Sequence, residues 1–220
     1  MNEYEKGEKK MTENMRAQEK KQSACIHVYC GDGKGKTTAA IGLAIRAAGA
    51  GKQVLFSQFM KGGQSSELQI LKEIPNIRLM RSEKEFPFYE YMSAEQKQEL
   101  TDIHNGMLQK MTESLDAGSR FGSGSSESNN SESNSPASNE AVWRPDMIVM
   151  DEITYPYNWE LLNRSLFQQL LTQAKGRVEL VLTGRNPAEE VLQAADYITE
   201  MRKLRHPYDQ GIPARIGIEL

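Results

Sequence analysis

A lysine and a threonine follow three alternating glycines near the start of the chain, in an order that suits phosphate chemistry. Residues 29–38 read Tyr-Cys-Gly-Asp-Gly-Lys-Gly-Lys-Thr-Thr. The glycines allow the backbone to curl with positive φ and to turn its N–H groups inward, as a nest for phosphate oxygens. Lys36 adds a positive charge to that nest, and the hydroxyl of Thr37 can ligate Mg²⁺. This stretch therefore predicts a nucleotide-binding site.

The elements on either side of this loop are those that a phosphate loop needs. A β-branched and aromatic strand from Ile26 leads in, and an alanine-rich helix begins at about Lys36. The unpaired N–H groups and the dipole of such a helix favour an anion. The run departs from G-x-x-x-x-G-K-[ST] because Cys30 occupies the first glycine position. An ordinary glycine turn is the alternative, and it leaves the Lys-Thr pair unexplained.

Acidic and basic side chains follow two later strands. Asp151 and Glu152 come directly after the apolar run Met147–Met150, and Arg185 follows the predicted strand Val178–Thr183. The carboxyl ends of parallel strands meet at one edge of the sheet, where Mg²⁺ needs oxygen ligands or a polarised water. Arg185 is placed there to meet phosphate, and a solvated turn arginine is the alternative.

Apolar strands alternate with helices throughout, which predicts a three-layer α/β/α sandwich with a mostly parallel central sheet. With the phosphate loop, this is a P-loop NTPase-like (RecA-like) fold. Besides the strands already named, the predicted strands are Val54–Phe59, Ile77–Met80 and Tyr197–Met201. The predicted helices are Thr37–Ala48, Glu67–Ile74, Ser93–Leu115, Trp159–Ala174 and Ala188–Ala195.

One domain is predicted at 23–220, after a charged N-terminal arm at 1–22. The arm alternates Glu and Lys with few apolar anchors. It is either a solvated tail or an arm that covers a ligand or a partner subunit. Residues 118–140 are rich in Ser, Asn and Gly, and we predict a disordered insertion there.

Charge and hydropathy exclude several classes of protein. The net charge is −3, with 27 basic and 30 acidic residues interspersed, so we expect no nucleic-acid partner. No apolar run has membrane-spanning length, and the first residues lack the apolar segment of a signal peptide. We therefore expect a cytoplasmic protein with no membrane partner.

A general base is not evident in the sequence. The histidines His27, His104 and His206 are scattered and are interpreted as structural, and no Ser–His–Asp or thiolate arrangement is present. The transferred group or the second substrate must then supply much of the chemistry. From the residues alone, the prediction ends at a Mg-nucleotide-binding α/β domain.

The phosphate loop and several later stretches of the chain resemble motifs of the ATP:corrinoid adenosyltransferases of the CobA/CobO/BtuR type, and they occur in the same order along the sequence. The resemblance covers about residues 24–116 and 142–220. Its motifs are the phosphate loop with Gly-Leu-Ala-Ile-Arg at 42–46, then Gln58–Gly62, Asp146–Thr154, Leu182–Arg185, Ala195–Arg202 and His206–Glu219.

The resemblance implies an enzyme of adenosylcobalamin biosynthesis or salvage. Family members transfer the 5′-deoxyadenosyl group of ATP, the co-substrate, to the cobalt of a reduced cob(I) corrinoid and release triphosphate. Cob(I) is itself a strong nucleophile and the attacked atom is ribose C5′, so no proton need be removed. The protein then has to position C5′ over cobalt and neutralise the leaving triphosphate.

The resemblance also implies roles for particular residues, with ATP lying across the loop in the polarity opposite to that of ordinary phosphate-loop ATPases. Lys36, Thr37, Glu152 and Arg185 would be the catalytic group, with Mg²⁺ held by Thr37 and Glu152. Arg46 and Arg185 would clamp the remaining phosphate and ribose oxygens. The ATP-binding loop would comprise Gly31, Asp32, Gly33, Lys34, Gly35, Lys36, Thr37 and Thr38, with phosphates on the amides from Gly33 onward.

In the family that the sequence resembles, an aromatic pair of the form Phe-x-Trp fills the lower face of the corrin. This pair excludes the lower axial ligand of cobalt, which makes cob(II) easier to reduce. Phe86 and Phe88 are the match here, with phenylalanine in place of tryptophan, so that Tyr89 or Tyr91 could contact the ring instead. From composition alone, these aromatics could equally cap a core.

The partners that the resemblance implies are a corrinoid and an electron donor. The corrinoid would be cobalamin, cobinamide or cobyrinic acid a,c-diamide, and the donor a reduced flavin or flavoprotein. The family also implies a homodimer in which the N-terminal segment can cover the partner's active site.

Two other functions stay open on the sequence. An ATPase or kinase acting at the γ-phosphate would need a base, which Asp151 or Glu152 could offer. A nucleotide-dependent binding module, such as a RecA-like nucleic-acid motor, would need a basic stripe, and the acidic net charge argues against it.

Overall fold

The computed structural model describes residues 24–63, 65–116 and 143–219. The predicted arm at 1–22 and the predicted insertion at 118–140 lie outside the described residues, so both stay predictions. The strands are β1 Ile26–Cys30, β2 Val54–Gln58, β3 Ile77–Arg81, β4 Met147–Asp151, β5 Glu179–Thr183 and β6 Tyr197–Glu200. The helices are α1 Lys36–Gly49, α2 Glu67–Glu73, α3 Ala94–Asp116, α4 Thr154–Asn158, α5 Arg164–Ala174 and α6 Glu189–Ala194.

The six strands form one sheet in the order β3-β2-β4-β5-β1-β6, and every pair is parallel. All five residues of β2 and all five of β4 are buried, as expected for strands covered on both faces. β5 lies between β1 and β4, so the strand of the phosphate loop and the acidic strand end at the same edge of the sheet. The predicted parallel sheet is confirmed.

Helices cover both faces of this sheet, which makes the predicted three layers. On one face, the alanines Ala40, Ala44 and Ala47 of α1 pack with Phe56 and Val149. Their small side chains let the helix that follows the phosphate loop lie close to the strands. The opposite face is covered by α3, α5 and α6, which enclose the larger part of the core. Burial of each large apolar side chain in this core contributes about 1.5–3 kcal/mol to the stability of the fold.

The predicted helix Trp159–Ala174 begins five residues too early, because the helix found there, α5, starts at Arg164, after a break that follows the short helix α4. In the break, Glu160 adopts φ 57°, which a continuous helix cannot accommodate. Asn163 then starts α5, since its side chain accepts a hydrogen bond from Leu166 N at 3.0 Å. Leu161 and Leu162 are buried within the break, so the apolar pattern continues where the helix does not.

The predicted start of α3 is confirmed as a capping box. Ser93 N–H donates to Gln96 Oε1 at 2.9 Å, and Gln96 N–H donates to Ser93 Oγ at 3.3 Å. The chain after β6 is largely irregular, apart from a 3₁₀ turn at Pro207–Gln210. Within the ranges that the structure describes, no helix has both the length and the apolar character to cross a membrane.

Candidate functional site

A cleft of about 760 Å³ opens at the carboxyl edge of the sheet, within the size range of small-molecule sites. Its floor is the phosphate loop and the first turn of α1. Segments after three other strands form its sides, through Lys61 after β2, Glu152 after β4 and Arg185 after β5. The C-terminal tail closes it through His206 and residues 217–219. The topology thus gathers five separate parts of the chain around one space.

Glycines shape the phosphate loop in two different ways. Gly31 and Gly35 have φ of 98° and 117°, which confirms the predicted left-handed backbone at these two positions. Gly33 is different, because its N–H donates to Met201 O at 2.7 Å and a Cβ there would lie 2.6 Å from the same oxygen. The prediction that the amide of Gly33 holds phosphate is therefore wrong. Gly33 instead allows the tail to approach the loop closely.

Two cations converge above the start of α1. Lys36 Nζ donates to Gly33 O at 2.6 Å, so the side chain folds back over the loop. Burial and the nearby Arg185 guanidinium lower the pKa of Lys36. No described side chain caps the first turn of α1, which leaves its N–H groups and the positive end of the dipole facing the cleft. An anion placed here would relieve the charge repulsion and satisfy those donors.

Asp151 organises the threonine side of the cleft and is fully buried. Its Oδ1 accepts hydrogen bonds from Thr37 Oγ1 at 2.8 Å and from Thr183 Oγ1 at 2.7 Å. Thr183 Oγ1 in turn accepts from Glu152 N–H at 2.9 Å. Because the Thr37 hydroxyl donates its hydrogen bond to Asp151, the lone pairs of its oxygen remain available to a cation. Sequence reasoning did not give Asp151 this role, although its place as the last residue of β4 was a usable signal.

Lys61 lies in the motif Gln58–Gly62, but sequence reasoning gave it no role in the site. Its Nζ lies 3.1 Å from Asp151 Oδ2 and 3.7 Å from Glu152 Oε1. Burial opposes the charge of Lys61, but the two carboxylates outweigh it and raise its pKa. Burial also raises the pKa of Glu152, against the opposing effect of Lys61. The position of Lys61 directly after an apolar strand, before two glycines, was the signal for it.

The oxygen donors at this position suit Mg²⁺. Among the described residues, no group of three or more His, Cys, Asp or Glu side chains is placed to hold a metal ion. Thr37 and Glu152 offer one hydroxyl and one carboxylate, which are hard oxygen ligands. Mg²⁺ commonly binds through one or two protein groups and completes its shell with phosphate oxygens and water. The residues therefore fit a metal that binds together with a nucleotide.

The predicted clamp residue Arg46 does not reach the cleft. It is exposed in the last turn of α1 and lies ten residues beyond Lys36, about 15 Å along the helix axis. In the single chain, Arg185 is the predicted arginine that lines the site. The clamp assignment of Arg46 is thus corrected by the length of α1.

The tail binds two residues that we assigned to ATP. Asp32 Oδ1 accepts from Lys203 N–H at 2.9 Å, and this hydrogen bond is the main reason that the pKa of Asp32 is lowered. Lys34 Nζ donates to Ile218 O at 2.6 Å and lies 3.5 Å from the carboxylate of Glu219. The tail is therefore a wall of the cleft, and it engages the loop through contacts between residues 171 and 184 positions apart in the sequence.

The aromatic segment after β3 divides into partly buried and exposed members. Phe86 packs against the small core of Met92, Leu100 and Leu161, as a core-capping residue would. By contrast, the side chains of Phe88 and Tyr91 are exposed, at 82% and 76%.

Stacked rings join this segment to the cleft. Tyr89 stacks on Trp159 with ring centroids 4.7 Å apart, and Trp159 contacts Tyr155 at 5.1 Å. Tyr155 lines the cleft, so the row Tyr89–Trp159–Tyr155 leads from the exposed aromatics to the phosphate side. Sequence reasoning placed Trp159 inside a helix and did not assign it to the site.

The fold and the cleft together define a phosphate-loop nucleotide-binding protein of the α/β class. A strand–loop–helix unit faces a buried acid two strands away, with cations around the space between them. Comparison with known proteins makes the class specific, since the family model ATP:corrinoid adenosyltransferase BtuR/CobO/CobP matches residues 22–220. The chain belongs to the ATP:corrinoid adenosyltransferase family.

Curated relatives agree over nearly the full length. The chain is 29% identical over 213 residues to the corrinoid adenosyltransferase of Escherichia coli (strain K12), covering 92% of this chain and 89% of the relative. It has the same identity and coverage with corrinoid adenosyltransferase CobA of Salmonella typhimurium. The corrinoid adenosyltransferase of Pseudomonas aeruginosa is 27% identical over 217 residues, covering 92% of this chain and 87% of the relative. The protein is thus an enzyme of adenosyl transfer to corrinoids, in cobalamin biosynthesis.

Proposed function

We propose that this enzyme transfers the 5′-deoxyadenosyl group of ATP to the cobalt of a cob(I) corrinoid and releases intact triphosphate. One observation carries this proposal: the cleft gathers Lys36 and Arg185 at the uncapped start of α1, where an anion is favoured. Membership in the family supports ATP and a corrinoid as the two substrates. The site is suited to holding a leaving group with several negative charges.

Phosphates would lie on the amides that follow Gly33 and between the side chains of Lys36 and Arg185. Asp32 and Lys34 would act through the tail contacts that fix the loop. Thr37 and Glu152 would hold Mg²⁺, which supplies charge neutralisation to the triphosphate when bound. Each preorganised donor to the developing charge is worth about 10²–10³ in rate.

The reaction balances without a protein base. The electron pair of cob(I) forms the Co–C bond, while the C5′–O bond breaks and its electrons leave with the triphosphate. The described acids agree with this, because both oxygens of Asp151 already have partners in Thr37, Thr183 and Lys61. Lys36 and Arg185 would neutralise the charge that grows on the leaving oxygens.

The corrinoid would bind beside the exposed aromatic segment. The exposed Phe88 is available to face the corrin, with the Tyr89–Trp159 stack beside it. Trp159, which comes from a different element, would then provide a tryptophan near the face at which Phe88 stands in place of one. An electron donor such as a reduced flavin or flavoprotein would reduce cob(II) at this face, and the corrinoid would be cobalamin, cobinamide or cobyrinic acid a,c-diamide.

A homodimer is also proposed. The edge strand β6 and the tail expose large apolar side chains, among them Tyr197, Ile198 and Tyr208, and exposed apolar patches mark interaction surfaces. A cytoplasmic location stays a prediction from the sequence.

One assay tests the proposed function. The protein is mixed anaerobically with ATP, Mg²⁺ and a chemically reduced corrinoid. We expect a light-sensitive Co–C product together with one equivalent of intact triphosphate. Release of ADP and phosphate with no alkylated corrin would contradict the proposal and favour an ATPase or kinase.

A further inference from the structure

Lys61 lies where a metal ion would contact the acidic side of the cleft. Its ammonium bridges the two acids, at 3.1 Å from Asp151 Oδ2 and 3.7 Å from Glu152 Oε1. The Asp151 carboxylate is fully buried, so it needs a counter-ion or hydrogen-bond donors at all times. Lys61 therefore balances part of the negative charge of these two acids.

The segment that carries Lys61 is held in place by a buried histidine. His104 Nδ1 lies 2.8 Å from the Leu161 carbonyl oxygen, so Nδ1 must carry the proton. Nε2 is then an acceptor, and Met60 N–H donates to it at 3.5 Å. Met60 adopts φ 59°, and a Cβ on Gly62 would lie 2.0 Å from Lys84 O, so the backbone on both sides of Lys61 is constrained.

The two contacts of Lys61 are not equivalent. The contact with Asp151 is a hydrogen bond to a carboxylate whose other oxygen is filled by Thr37 and Thr183. The contact with Glu152 is longer, and Glu152 adopts a strained φ of 62° that turns it toward the cleft. Lys61 compensates Glu152 only in part, because its ammonium lies closer to Asp151. Glu152 is therefore the acid that an entering cation can take over.

We propose that Lys61 is the resident counter-ion of the metal site, and that it opposes divalent-cation binding until nucleotide phosphates are present. When the metal enters with a triphosphate, Lys61 releases Glu152 and keeps Asp151. The inference rests on the proposed Thr37–Glu152 metal site and adds an order in which the metal ion and the phosphates bind there. The metal binds with the phosphates, because a metal ion alone meets acids that are already paired with Lys61.

Binding of Mn²⁺, measured by electron paramagnetic resonance with and without inorganic triphosphate, tests this. We expect Lys61→Met to tighten Mn²⁺ binding without triphosphate by about tenfold or more, since it removes a charge-assisted contact with the acids. Lys61→Arg should retain the weak binding of the wild type. Lys52→Met is the matched control, because Lys52 is exposed at the opposite end of β2, and it should change nothing.

The outcomes separate this inference from the proposed function. Equal Mn²⁺ affinity of wild type and Lys61→Met without triphosphate overturns the inference, while tight Mn²⁺ binding with triphosphate would keep the proposed site. Failure of both proteins to bind Mn²⁺ even with triphosphate overturns both. If the methionine variant does not fold, Lys61→Gln keeps a donor to Asp151 without the charge, and the same tightening is expected.

Discussion

Mild acid should destabilise the protein through His104. The imidazole is buried, with Nδ1–H donating to Leu161 O and Nε2 accepting from Met60, so only the neutral ring fits. Burial lowers the pKa of His104 from 6.5 to about 4, against the opposing effect of the Leu161 hydrogen bond. The folded-state pKa is thus the lower one, and between about pH 6.5 and 4 the unfolded chain binds the extra proton. Stability must fall as pH drops through that window.

The expected loss between pH 7 and pH 5 is about 2 kcal/mol. pH 5 is about one and a half units below the ordinary pKa of histidine in the unfolded chain, and each unit is worth about 1.4 kcal/mol. That is a large part of the 5–15 kcal/mol by which domains are usually stable. His104→Gln keeps one donor and one acceptor but does not titrate, so its stability should lack this component.

Urea unfolding of both proteins at pH 7 and pH 5 measures the difference. The variant may be less stable at pH 7, so the quantity to compare is the change with pH. Groups that titrate in both proteins, such as Glu152, contribute equally and cancel. If wild type and His104→Gln lose the same free energy on acidification, the buried neutral imidazole described here is refuted.

Three further substitutions test the site. Lys36→Ala should lower adenosyl transfer from pre-reduced cob(I) by about 10²–10³, because a cation facing the leaving phosphates is lost; unchanged kcat/KM would refute its role. Phe88→Ala should spare transfer from cob(I) but impair the flavin-coupled reaction from cob(II), and equal losses in the two assays would show that Phe88 is not the aromatic that excludes the lower axial ligand. Gly33→Ala should cost roughly 1–3 kcal/mol in thermal unfolding and weaken ATP binding, because its Cβ would lie 2.6 Å from Met201 O. The control Gly42→Ala, which meets nothing within 4 Å in α1, should be neutral or slightly stabilising.

The sequence predicted those elements of the fold that depend on short, local patterns of residues. The central strands β2, β4 and β5 were found because buried parallel strands are mostly apolar, and the start of α3 because the Ser93–Gln96 box acts over one turn. The break after α4 was not found, since Leu161 and Leu162 continue the apolar spacing through a backbone turn at Glu160.

The cleft was predicted in part, for a similar reason. Lys36, Thr37, Glu152 and Arg185 were predicted to share one edge of the sheet, because parallel strands and a known loop place them there. The tail on Asp32 was not predictable from composition, since Lys203 is 171 residues away. Periodicity carries no information about contacts at that separation.

The arrangement around Asp151 bears on which bond of ATP is broken. Hydrolysis or transfer at the γ-phosphate needs a group that accepts a proton from, or orients, an attacking oxygen. Both oxygens of Asp151 already accept hydrogen bonds, from Thr37, Thr183 and Lys61. The carboxylate is also fully buried, so water does not reach it. Glu152 is left, and binding a metal ion would engage it as well. A cleft with its acids committed in this way can still hold a triphosphate and let it leave in one piece, provided that the nucleophile brings its own electron pair. A reduced corrinoid would do so under the proposed function, and the acids of the site would then stabilise cations and would not move protons.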